Sequence, residues 1–134
     1  MSHIDKTIGF VPVRIAILTV SDSRSMAEDK SGQVLVDRIE AAGHYVADRV
    51  VLSDEREEIV SQLRLWIALP EIDAVISTGG TGLTGRDVTV EAHRDVYEKE
   101  IYAFATVFTM VSMQKIGSSA VQSRATAGVA AGKY

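Results

Sequence analysis

The chain has 134 residues, with 14 Lys and Arg against 18 Asp and Glu for a formal charge of −4, and no cysteine. That length suits one domain over residues 1–134. The acidic balance argues against a nucleic-acid face, and the missing thiols exclude disulfides, thiolate catalysis and Cys-ligated zinc. The N-terminal MSHIDKTIGFVP lacks the basic start and apolar core of a signal peptide. The most apolar stretch, residues 101–113, is too short to cross a bilayer. A soluble cytoplasmic protein without membrane or nucleic-acid partners is the expectation.

In chain order, residues 13–20 (VRIAILTV) form a continuous β-branched and aliphatic run, as in a strand buried on both faces of a parallel sheet. The run ends at Ser21, Asp22 and Ser23, whose short polar side chains favour a turn. Nearby, Arg24 and Lys30 make the only local basic cluster, and Glu28 and Asp29 interrupt it. A helix starting near Ser31 carries Val34, Leu35, Ile39 and Ala42 on one face and stops at Gly43. Tyr45, Val46, Val50, Val51 and Leu52 read as a second strand. Asp54 is placed to cap the next helix, with Glu57 completing a capping box. That helix bears Ile59, Leu63, Trp66 and Ile67 until Pro70 ends it. Residues 74–77 read as a third strand. A short helix follows over 89–97 and a longer one over 101–116, which Gly117 breaks. Further helical turns reach Ser123 and Arg124, and the closing GVAAGKY reads as a turn entering a strand. Strands alternating with helices through short connections indicate βαβ units, hence an α/β fold around a mainly parallel sheet.

The most informative stretch is VISTGGTGLTGRD, residues 75–87. A buried strand opens there into a loop, Thr78, Gly79, Gly80, Thr81 and Gly82, with no Cβ at three positions. Glycines allow positive φ and close backbone approach to a ligand. Successive exposed N–H groups form an anion-binding concavity, to which threonine hydroxyls add donors. Arg86 brings a phosphate-matching fork and Asp87 a possible magnesium ligand. The loop is neither a Walker A motif, lacking Gly-Lys-Ser/Thr, nor a dinucleotide fingerprint, which opens directly into a helix. Ligands of open α/β sheets gather at the carboxyl ends of strands. Ser21, Asp22 and Asp54 would share that rim with the loop. Asp54 and Asp87 each have a plainer explanation as helix-start residues. His3, His44 and His93 show no metal-ligand spacing, and His93 reads as a solvated surface histidine. The aromatic and Met-containing stretch after Ile101 has apolar residues on more than one face, part of which would bury against another subunit.

The stretch STGGTGLTGRDVTVEA, with LTVSDSR at the first strand, DKSG before the first helix, LSDE at the second strand end and KIGSSAVQSRATAGVA near the C-terminus, resembles the MoaB/MogA family of molybdenum-cofactor biosynthesis proteins, the MoaB branch most closely. The resemblance runs in order over nearly the whole chain. It implies a three-layer α/β/α sandwich, Rossmann-like, that binds molybdopterin. It also implies adenylylation of the pterin's terminal phosphate with ATP and magnesium, with no tightly bound cofactor. The alternative it leaves open is a non-catalytic, MoaB-type molybdopterin-binding protein. Carried over by motif, Thr78, Gly79, Gly80, Thr81 and Gly82 would cradle the phosphate. Ser21 and Asp22 would line the pocket, and Ser118, Ser119 and Arg124 would approach from a later loop. Asp54 and Asp87 would be catalytic and would handle magnesium. A homo-oligomer, trimer or hexamer, is also implied.

Three departures from the family pattern stand out. Thr89-Val90-Glu91-Ala92 replaces the usual Thr-Pro-Glu-Ala, losing a proline pre-organised for a helix start. Leu52-Ser53-Asp54-Glu55 replaces Val-Pro-Asp-Glu and keeps the aspartate. The resemblance also implies a last strand, a Leu-Pro-Gly-Ser-Pro type loop and a final helix after Tyr134, so the domain is expected to be C-terminally incomplete relative to the family.

Overall fold

Three parallel strands, β1 (Arg14–Val20), β2 (Tyr45–Leu52) and β3 (Ala74–Thr78), lie in the order β2-β1-β3. The computed structural model describes residues 5–22 and 28–134. Ser23 of the expected turn, Arg24 of the basic cluster and His3 fall outside the described residues. The register pairs Val20 with Leu52 and Thr19 with Thr78, so all three strands end level on one rim.

β1 is central, and every residue of it after Arg14 is buried. Alternate side chains serve opposite faces, as the pleat requires. Ala16, Leu18 and Val20 pack with Ile59, Leu63, Trp66, Ile72 and Ala92 on one side, while Ile15 and Ile17 pack with Ile39 on the other. The first cluster lies under α2 (Arg56–Ala68) and α3 (Thr89–Arg94), the second under α1 (Lys30–Ala41). The three α/β/α layers follow from these two cores. Trp66 is fully buried and gives its indole N–H to Asp48 at 2.9 Å. Burying an apolar side chain of this kind stabilises the fold by about 1.5–3 kcal/mol.

α1 begins at Lys30, one residue before the expected start, because Asp29 caps it by accepting the Gly32 N–H at 2.9 Å. Asp29 is itself buried and also accepts the Thr19 hydroxyl at 2.8 Å and an Arg49 N–H at 3.2 Å. Burial pushes this carboxyl up, but the Gly32 N–H, the Thr19 hydroxyl and Arg49 outweigh it and hold it below its usual value. The cap expected at Asp54 is absent. Glu55 precedes α2 without a side-chain cap bond, and Asp54 turns to Arg86 instead. A charged partner across the rim outcompetes a local cap.

Beyond α3, Lys99–Glu100 (β4) and Gly128–Val129 (β5) form an antiparallel ribbon that periodicity did not reveal, because two residues are too short to show it. Between them runs α4 (Tyr102–Ile116), close to its expected bounds, and the 3-10 turn Gly117–Gln122. The closing turn appears as the Ala130–Lys133 bridge, after which the Tyr134 carbonyl accepts the Val75 N–H of β3 at 2.8 Å. A cavity of about 640 Å³ beside β3 is lined by Val75, His93, Phe104, Phe108 and Tyr134, and it reaches the back of the loop at Gly79 and Arg124. Among the described residues no helix is long and apolar enough to cross a membrane.

Candidate functional site

The glycine loop leaves the end of β3 with φ at 91° for Gly79 and 64° for Gly80, both in the left-handed region that excludes most side chains. A Cβ on Gly79 would strike the Val20 carbonyl, and one on Gly80 the Thr89 hydroxyl. What holds the loop is its carbonyls. Gly79 O accepts the Thr89 hydroxyl at 2.6 Å and Gly80 O the Thr89 N–H at 3.2 Å. Thr81 O accepts the Arg124 backbone N–H at 2.8 Å and Gly82 O the Arg124 Nε–H at 2.9 Å.

Four successive carbonyls are thus held from behind by α3 and Arg124. In a planar trans peptide the N–H points opposite to the C=O. The N–H groups of Gly80, Thr81, Gly82 and Leu83 therefore face away from that backing. Among the described residues, those of Gly80 and Thr81 make no hydrogen bond. Free N–H groups held in a row by an anchored backbone are what an anion requires.

Arg124 has little left over for a ligand. Beyond its bond to Gly82 O, its guanidinium reaches Asp87 O at 2.9 Å and pairs with both oxygens of Glu91, one arm at 3.0 Å. The arginine holds the Glu91 carboxyl below its usual range, and Glu91 raises Arg124 in return. Glu91 and Thr89 were not singled out from the sequence as loop supports. Their signal was present only as TVEA following the glycines.

Asp87 accepts the Thr84 hydroxyl at 2.8 Å and the Thr84 N–H at 3.0 Å, which lower its carboxyl below the ordinary value. It sits against Gly82, where a Cβ would come within 2.7 Å of its carboxylate. Val88, not Asp87, is the residue preceding α3, and it makes no side-chain cap bond. Across the rim Arg86 bridges the other two aspartates. Its Nε–H donates to Asp54 at 3.0 Å, and a terminal nitrogen pairs with Asp22. The Ser21 N–H ties the end of β1 to Leu52 O at 2.8 Å.

The structure thus brings Asp22, Asp54 and Asp87 around the loop on one rim, with Arg124 behind it. Ser118 and Ser119 are exposed on the 3-10 turn. Among the described residues neither hydroxyl is hydrogen-bonded to the loop. His93 is not a solvated histidine: its Nδ1 lies 2.7 Å from Thr89 O and its Nε2 2.7 Å from the Ser77 hydroxyl. A carbonyl only accepts, so Nδ1 carries the proton and Nε2 accepts from Ser77. Burial lowers the His93 pKa, against a smaller upward pull from the Thr89 carbonyl. Its placement on the inner side of α3 was legible only once that helix had been docked.

The family described as "Probable molybdopterin binding domain" matches residues 16–133. The chain belongs to that family. Within it, the chain is 46% identical over 121 residues to molybdenum cofactor biosynthesis protein B of Escherichia coli (strain K12), covering 90% of this chain and 71% of that protein. A crystal structure of a molybdenum cofactor biosynthesis protein B superposes with a TM-score of 0.86 at 40% identity, covering 90% of this chain and 75% of that one. The tungsten cofactor synthesizing protein MoaB from Pyrococcus furiosus superposes at 0.79 with 31% identity, covering 91% of this chain and 76% of that one. Membership in the molybdopterin-binding-domain family accounts for the parallel sheet and the helices on both faces, and these relatives support a role in molybdenum cofactor biosynthesis.

Proposed function

We propose that this chain binds molybdopterin by its terminal phosphate at the glycine loop and adenylylates that phosphate with ATP. The observation that carries the reading is the row of anchored carbonyls, which leaves the Gly80 and Thr81 N–H groups without a partner among the described residues, on the same loop as Arg86 of the Asp22–Arg86–Asp54 cluster. In the reaction an oxygen of the pterin phosphate forms a bond to the α-phosphorus of ATP, and the bond to pyrophosphate breaks. No covalent enzyme intermediate is needed, since positioning and preorganised charge supply the rate enhancement. The loop N–H groups hold the nucleophilic phosphate in line. The Arg86 guanidinium adds a fork for phosphate oxygens.

Asp22 and Asp54 meet neighbouring nitrogens of one guanidinium, and these two carboxylates are the ones that would hold Mg²⁺, which is commonly bound by one or two carboxylates plus substrate phosphates. When bound it neutralises phosphate charge during the transfer. Asp87 orders the loop through Thr84 and would lie beside the same phosphates.

A second reading, binding without turnover, is favoured by one observation: the Asp87 carboxylate is already taken up by Thr84. Incubation with molybdopterin, magnesium and labelled ATP separates the two. Adenylylated pterin is expected; measurable pterin binding without it would leave the binding reading standing.

Self-association belongs to the same proposal. None of the residues of α4 is buried, although Tyr102, Phe104, Val107, Phe108, Met110, Val111 and Met113 all lie on it. An apolar helix of this kind, with Lys115 as its sole charge, suits the matching apolar helix of a second copy in a trimer or hexamer.

A further inference from the structure

We infer that Arg86 is an exchangeable internal counter-ion, which holds the cation position between Asp22 and Asp54 until a phosphate ligand arrives with a divalent ion and then turns to the phosphate. The inference rests on the phosphate-and-magnesium reading of the rim and adds how that rim is regulated.

Asp22 and Asp54 sit at the ends of two different strands, β1 and β2, and converge on a single guanidinium from the loop after β3. The Arg86 side chain is 73% exposed, against 38% for Asp22 and 18% for Asp54. Both carboxylates are better covered than the arginine that joins them. A Cβ added at Gly85, just before it, would meet nothing within 4 Å. An ion pair this exposed contributes little, about 0–1 kcal/mol, so displacing it costs little.

Charge balance supplies the direction. Two carboxylates and one guanidinium leave the cluster at −1. A divalent ion between the carboxylates neutralises them, and a guanidinium kept beside it would be in excess by one positive charge. The released arginine, on the same loop as the free Gly80 and Thr81 N–H groups, becomes available to the phosphate. Cation and phosphate must then bind with positive coupling, because each removes a partner that hinders the other. Alone, either ligand has to break the Arg86 pairs unaided.

The test is binding, not turnover. Mn²⁺ is titrated into the full chain by its paramagnetic signal, and inorganic phosphate is titrated separately, for wild type, Arg86→Met, Arg86→Lys and the double variant Arg86→Met with Asp54→Asn. The small worth of so exposed a pair predicts that Arg86→Met binds Mn²⁺ alone up to about fivefold more tightly than wild type and binds phosphate more weakly. Arg86→Lys, which keeps a cation at the position, should stay near wild type. The double variant should lose the gain. Equal Mn²⁺ affinity in wild type and Arg86→Met, with unchanged melting curves, overturns the counter-ion role and leaves the phosphate reading standing. Absence of Mn²⁺ binding in every form removes the magnesium reading together with the inference.

Discussion

The carboxyl rim and helix α4 are built on opposite principles. On the rim, each loop carbonyl and each acidic side chain has a named partner at a defined distance, from Thr89 on Gly79 O to Arg86 on Asp54. On α4 no side chain is buried, not even Phe104 and Phe108, which line the cavity beside β3. Directional bonds fix the positions of a few polar atoms, as a ligand site requires. Nondirectional apolar surface fixes no atom and contributes only when something covers it. The two regions should therefore respond to substitution in different currencies: the rim in geometry and stability, the helix in association.

The largest effect is expected at Gly79→Ala. Positive φ and the clash with the Val20 carbonyl act together, and the loss should be about 3 kcal/mol in denaturant unfolding, with phosphate binding abolished. A variant as stable as wild type would show that the loop is softer than its bonds indicate. Next comes Arg124→Met, which strips partners from Gly82 O, Asp87 O and Glu91. At this partly exposed position a loss of about 1–2 kcal/mol is expected, with faster amide exchange in the loop. If Arg124 touched the ligand instead of backing the loop, binding would fall with amide exchange unchanged.

On α4, Met110→Lys, at a side chain 61% exposed, should change the stability of the separate chain by no more than about 0.5 kcal/mol. It should shift sedimentation toward smaller species. Unaltered sedimentation would remove α4 from any interface and blunt the contrast with the rim.

The smallest effect concerns pH at His93, beside the cavity. Its pKa is lowered on folding, so the folded state disfavours the charged ring. The contribution is complete above the ordinary histidine value of 6.5 and is lost as pH falls through the folded pKa. Replacing His93 by Leu, with Ser77→Ala to avoid an orphaned hydroxyl, should flatten the stability profile below about pH 6.5. An unchanged slope would assign the acid sensitivity to other groups.

The chain's order of strands and helices was legible because hydrophobic period and turn residues are local signals: β1 as a continuous aliphatic run, α2 from Ile59, Leu63 and Trp66 at helical spacing. The glycine loop was legible for the same reason, since its chemistry lies in contiguous residues. The α4 helix was also read within a residue, including the apolar character of more than one face. The β4–β5 ribbon was not, because its two halves are short and distant along the chain.

Local sequence likewise could not say which of several plausible partners a charged group takes. Asp54 had the position of a helix cap, yet it pairs with Arg86, 32 residues away. Arg124 looked like a ligand donor, yet it spends its guanidinium on Gly82, 42 residues away, and on Glu91. The sequence by itself determined the main strands and helices, the glycine loop at the end of β3 and the family. Only the tertiary structure decided which carboxylates converge and which arginine backs the loop, because those bonds depend on strand ends being brought level by register, and register is set by packing far from the rim.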